Sequence, residues 1–175
     1  MNRAEYIEKL LTSYESYYNV HHIEDDTPLT ARCDFHMENN RYVLNKRNVL
    51  WSTNSHEYCY VFSIPHLTDD LYHTFQKEVY EKGMALIKAG QEEHLATNLT
   101  LLIVCDTCDA KAAKALKHCR LHEDFRFGLD GWMNFRTAMV CMSNEKVTAN
   151  LSGHDLKKLL RQFFKQNTRT VFSQI

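Results

Sequence analysis

Residues 98–105, NLTLLIVC, form an almost unbroken aliphatic run ending at a cysteine. A strand of that composition has no polar face. It has to be covered above and below, which demands a sheet with helices on both sides. The run leads straight into DTCDAKAAKALKHCRLH (106–122). Cys105, Cys108, Cys119 and His122 then follow the spacing Cys-x-x-Cys, ten residues, Cys-x-x-His.

Three chemistries compete for that spacing. Zinc needs every ligand about 2.0–2.3 Å from one ion. Between Cys108 and Cys119 lie four alanines, three lysines and a leucine, a composition with strong intrinsic helix propensity. Coiled as a helix, the segment spans roughly 16 Å at 1.5 Å per residue, too far for one tetrahedral ion. A redox pair of Cys105 and Cys108 fits better. Thioredoxin-like proteins place a Cys-x-x-Cys between strand and helix, where the helix N-terminus lowers a thiol pKa. Against it, Asp106 and Asp109 flank the thiols and would repel a thiolate. Both prolines, Pro28 and Pro65, precede the pair, whereas the thioredoxin pattern carries its active-site proline after it. Packing accounts for more. Cys108, Ala112, Ala115 and Cys119 share one helical face beside Leu116, with Lys111, Lys114 and Lys117 off it. The cysteines are expected to be packed thiols.

The rest of the chain supplies the layers. Ile7, Leu10, Leu11, Tyr14 and Tyr18 recur at helical spacing, with Asn2 and Glu5 at capping-box positions. VHHIEDDTP (20–28) reads as a polar connection. From residue 30 the period becomes two: ARCDFHM, RYVLN, NVLWS and HEYCYVFSI predict an antiparallel meander with one apolar and one mixed face, stopped by Pro65. Thr68 is placed to cap a helix carrying Leu71, Phe75, Val79, Leu86 and Ile87, closed by Gly90. After the buried strand and Ala-rich helix, FRFGL, NFRTAMVCM and VTANL read as strands. A last helix, from about Ser152, has a stripe of Leu156, Leu159, Leu160, Phe163 and Phe164. The expected fold is mixed α/β: one central mixed sheet containing an antiparallel meander, in the order α-βββ(β)-α-β-α-βββ-α, as one domain over residues 1–175.

Charge and composition narrow the partners. The net charge is −1, yet residues 1–100 hold 9 Lys and Arg against 15 Asp and Glu, and residues 101–175 hold 12 against 7. Such asymmetry serves a charged binding face or head-to-tail self-association, so a homo-oligomer is one expectation. Without an overall basic excess, nucleic acid is not an expected partner. MNRAEYIEKLL lacks the apolar core of a secretory signal, and the aliphatic run is too short for a bilayer. A soluble, cytoplasmic protein with six reduced cysteines and no membrane association is therefore expected.

The αβββαβ order over about the first 120 residues resembles the core of PD-(D/E)xK nucleases. That resemblance implies a metal-dependent site in which Asp34 is the first acid and Glu57 the second. The position matching the family's lysine holds Cys59, and Lys46 would have to substitute from elsewhere. Two carboxylates alone can hold a divalent ion but offer nothing to activate water.

His66, Asp69 and His73 gather at a helix start and are candidate metal ligands, with capping as the plainer role. Trp132, in FGLDGWMNFR, is a surface anchor if exposed and core if buried. The last helix sets Lys157, Lys158, Arg161 and Lys165 opposite its apolar stripe, as a docked terminal helix or a basic interaction helix would. No glycine-rich phosphate loop is present and no cofactor is expected. The sequence reads as a non-catalytic binding or assembly protein. A nuclease-like enzyme on Asp34 and Glu57 is the first alternative, and a thiol redox protein on Cys105 and Cys108 the second.

Overall fold

A computed structural model describes residues 1–37, 55–89, 96–125, 127 and 131–171. Its elements are α1 (Arg3–Tyr14), β1 (Asn19–His22), β2 (Leu29–Met37), β3 (Ser55–Leu67), α2 (Asp69–Ala89), β4 (Ala96–Cys108), α3 (Ala110–His118), β5 (His122–Asp124), β6 (Trp132–Cys141), a 3-10 turn (Met142–Asn144), β7 (Lys146–Ala149) and α4 (Leu156–Val171). The strands form one mixed sheet in the order β1-β2-β3-β4-β6-β5, with β7 also on β6. β4 runs parallel to both of its neighbours, β3 and β6, and the remaining pairs are antiparallel.

The aliphatic run occupies the middle of this sheet. Leu99, Leu101, Ile103 and Cys105 of β4 face a core shared with Tyr72, Phe75 and Val79 of α2 and Ala112 and Leu116 of α3. Leu102 and Val104 face the other core, built with Tyr6, Leu10 and Leu11 of α1 and Leu156, Leu160 and Phe163 of α4. The three layers are therefore α1/α4, sheet, and α2/α3.

Local chemistry sets the helix starts. Asn2 and Glu5 make the reciprocal capping box of α1, and the Thr68 hydroxyl accepts the Leu71 N–H at the start of α2. Near the far edge, buried Asn150 satisfies four backbone groups. Its Oδ1 accepts from Thr137 N–H and Gly153 N–H, and its Nδ2 donates to the Cys119 and Phe135 carbonyls. One side chain thus fixes the end of α3, β6 and the approach to α4.

Several sequence expectations change. Residues 19–22, within and beside the expected connection, form an edge strand. Its side chains are mostly exposed; the backbone ladder to β2 holds it, helped by Val20 against the α1/α4 core and by His21 and His22 beside Asp34 and Glu15. Pro65 does not stop β3, which runs to Leu67. Proline lies past the last β2 pair, Leu29 with Phe62, where that side of the strand is open. Tyr72, not Leu71, takes the first buried position of α2; Leu71 is exposed. Cys108 closes β4, and α3 begins only at Ala110. The strand here is His122–Asp124 and ends before Phe125, and Phe127 sits fully exposed at φ 58°; the rest of FRFGL lies outside the described residues. RYVLN, NVLWS and the Gly90 cap lie outside the described residues. No helix of the described residues is long and apolar enough to cross a membrane.

Candidate functional site

The register between β2 and β3 decides where the two nuclease-candidate carboxylates point. Cys33 pairs with Cys59, Asp34 with Tyr58, and Phe35 with Glu57. Side chains alternate along a strand and paired residues share a face. Glu57 therefore lies with Cys33 and Cys59 on the α1/α4 face. Asp34 lies with Tyr58 and Tyr60 on the α2/α3 face. The sheet stands between the carboxylates, so they do not form the shared metal site that the nuclease resemblance implies. Lys46 is outside the described residues.

Glu57 belongs to a buried ionic network. Cys33, Cys59, Thr100 and Arg136 make one row across four strands, and Glu57 projects one pleat away on the same face. Its Oε1 accepts from Arg136 Nη1 and Thr100 Oγ1, each at 3.1 Å, and its Oε2 from Tyr18 Oη at 3.1 Å. Arg136 also donates from Nη2 to both oxygens of Asp155 at 2.7 and 2.6 Å. The Glu57 and Arg136 side chains are 14% and 8% exposed, against 73% for Asp155. Arg136 Nε is buried without a protein partner. Burial alone would favour loss of the Arg136 proton, but the facing carboxylates outweigh it and hold the guanidinium charged. Each Glu57 oxygen therefore already has a donor.

Asp34 serves a second, separate system. Its neighbour two residues back on the same face, Arg32, donates from Nε to Oδ1 and from Nη2 to Oδ2, both at 2.9 Å. His21, opposite Arg32 on β1, lies 3.3 Å from Asp34 Oδ2. This two-pronged pairing fixes the plane of the guanidinium. Arg32 and His21 then border an open cavity of about 510 Å³ between the β1–β2 hairpin and α2, lined also by Tyr60, Leu29, Lys82 and Leu86. A second cavity of about 510 Å³ opens on the other side of the same hairpin, against α1. Ile7 and Leu11 floor it, and Glu8 and Glu15 rim it.

The thiol candidates sit at the opposite end of β4. Cys105 is wholly buried and its Sγ donates to the Val140 carbonyl at 3.6 Å. Burial, then the neighbouring thiols of Cys141 and Cys108, push its pKa up. Cys108 is half-buried, and burial followed by Cys141 raises it to about 11. Cys141, aligned with Cys105 across β6, is the third thiol of this cluster, which no spacing in the sequence announces. A thiol held protonated in this way is a poor nucleophile at neutral pH.

His66, Asp69 and His73 do not converge either. His66 bonds Thr107 Oγ1 and Asp109 Oδ1 at 2.7 and 3.1 Å. Asp69 instead takes Lys111 Nζ at 2.7 Å, with His73 at 3.7 Å. A lysine thus occupies the carboxylate that a metal would need. Cys119 accepts from Gln76 Nε2, and His122 bonds Asn134 and Asp124, so the zinc spacing is dispersed as well. Among the described residues no group of three or more His, Cys, Asp or Glu is placed to hold a metal ion. Trp132 opens β6 and is half-buried. In α4, Leu156, Leu160 and Phe163 are docked and Lys158, Arg161 and Lys165 exposed, as a terminal helix on its own core would be.

These features define a three-layer α/β fold with two ion-paired carboxylate systems on opposite sheet faces and two cavities astride one hairpin. The chain belongs to the family defined by the domain of unknown function DUF8052, whose model matches residues 2–162. No curated protein and no solved structure matches the chain.

Proposed function

We propose that this protein acts by binding, as a recognition or assembly module, with its ligand seated at the β1–β2 edge of the sheet. The carrying observation is the pair of cavities on the two sides of that hairpin. Each is of a size that takes a small molecule or a few side chains of a partner. Their lining side chains differ in chemical character. His21, Arg32 and Lys82 line one, with no acid among its lining residues. Glu8 and Glu15 line the other, together with His22 and with no Lys or Arg. Support also comes from the carboxylates singled out in the sequence. Asp34 and Glu57 are each engaged by an arginine, which leaves neither poised as a general base.

Thermal-shift screening of the full chain against a chemically diverse small-molecule set tests this reading. A ligand present at 100 times its Kd stabilises the folded state by about 2.7 kcal/mol. At this chain length that raises Tm by roughly 5–10 °C. Metal-dependent cleavage of nucleic acid by the wild-type chain, lost in Glu57→Gln, would contradict the proposal.

A further inference from the structure

The cavity between the hairpin and α2 has a defined chemical character, and it rests on the binding reading above. Three of its lining side chains are basic, and they come from three elements: His21 on β1, Arg32 on β2 and Lys82 on α2. The side chains remain 52%, 34% and 51% exposed, so each can reach an incoming group. Arg32 is also held in place. Asp34 takes its Nε and Nη2, which orients the guanidinium before any ligand arrives and lowers the entropy lost on binding. Lys82 is steadied in the same way by Glu78 one turn earlier, at 2.6 Å. Beneath these heads the surface is apolar: Tyr60, Leu29 and Leu86.

From this arrangement we infer that the cavity binds a compact organic anion, a carboxylate or phosphate head carried on a short apolar or aromatic body. The head meets Arg32 and Lys82, and the body lies on Tyr60, Leu29 and Leu86. Asp34 is a positioning residue, acting through Arg32. A bare inorganic anion leaves the apolar floor unused, and an uncharged aromatic leaves the basic rim unused, so both bind more weakly than the combined ligand.

Amide-resolved NMR titrations of the full chain with phenyl phosphate and with 3-phenylpropionate distinguish the two head groups. Inorganic phosphate and benzyl alcohol are the partial-ligand controls. The inference expects saturable shifts at His21, Arg32, Tyr60, Lys82 and Leu86 for at least one of the two anions, and at least tenfold weaker binding of both controls. Lys82→Gln, a change at a half-exposed helix position, and Arg32→Gln are each expected to weaken that binding about tenfold, the usual scale of one charge-assisted contact. Ala85→Trp, which fills the cavity from α2, abolishes it. Absence of saturation up to about 10 mM, a generous ceiling for fragment affinity, overturns the inference. So does binding indifferent to all three substitutions. If a screening ligand instead shifts residues of the acidic cavity alone, this ligand class fails while the binding reading stands. If nothing binds either cavity, both fail.

Discussion

Arg136→Met is expected to remove about 3–5 kcal/mol of stability, the cost of leaving one member of a buried ion pair without its partner. At this chain length that corresponds to a fall in Tm of roughly 6–20 °C. The size follows from burial. Glu57 is 14% exposed on its side chain and would keep only the Thr100 and Tyr18 hydroxyls. Asp155, 73% exposed, regains water when Arg136 is lost, so Asp155→Asn is expected to cost less than about 1 kcal/mol. Removing both charges behaves differently. Replacing a buried pair with apolar side chains is often close to neutral, so Glu57→Leu combined with Arg136→Met should be more stable than Arg136→Met alone. Urea unfolding of the three variants checks the series. A loss below about 1 kcal/mol in Arg136→Met would show that the network is solvated and carries little.

Raising the pH from 8.5 to 10 is expected to collapse stability, because the fold keeps thiols protonated. Cys33 is pushed up to about 12 by burial and then by the negative charges of Asp34 and Glu57. Burial raises Cys59 and Cys105 as well. Unfolding returns all three to the ordinary thiol value near 8.5. Above that value the unfolded chain sheds protons that the native chain retains, so stability falls as pH rises. The fall begins near pH 8.5 and continues through the folded-state values. Each fully engaged group contributes about 1.4 kcal/mol per pH unit, so the three thiols together approach 4 kcal/mol per unit. Tyr6, Tyr14 and Tyr72, also raised by burial, extend the loss above pH 10. Urea midpoints at pH 7.5, 8.5 and 9.5, with reductant present, should drop steeply between the last two and recover on return to 7.5. Equal midpoints at 7.5 and 9.5 would mean the thiols are not shielded.

Much of the fold was legible because its signals are local. The β4 run announces a strand covered on both sides, Asn2 and Glu5 announce the start of α1, and DAKAAKALKH announces α3. β1 was not legible. Its four residues bury little, so no alternation marks them, and only the ladder to β2 makes them a strand. The exposed turn at Phe127 places an aromatic where apolar alternation misleads: its ring faces water while Phe125, two residues earlier, packs on the core, and nothing in the segment itself tells the two apart.

The site was harder to read for a different reason. Treating the meander as having one apolar face puts Cys33 and Phe35 beside Tyr58 and Tyr60, which would leave Asp34 and Glu57 together. Helices cover both faces, so both strand faces are apolar and the pattern cannot choose a register. The observed pairing of Cys33 with Cys59 turns the two carboxylates apart. Arg136 did leave a trace: a charge inside NFRTAMVCM needs a partner when the strand is buried. That partner lies 79 positions away, beyond any local pattern. Arg32 and Lys82 read as ordinary polar positions until the hairpin and α2 bring them to one cavity.

The central claim is that Asp34 and Glu57 serve two unconnected ion-pair systems on opposite faces of the sheet. A double-mutant cycle on folding stability with Asp34→Asn and Glu57→Gln tests it most directly. The account expects the two losses to add within about 0.5 kcal/mol, as for sites with no shared partner. A coupling above about 1 kcal/mol would place both carboxylates in one site and contradict it.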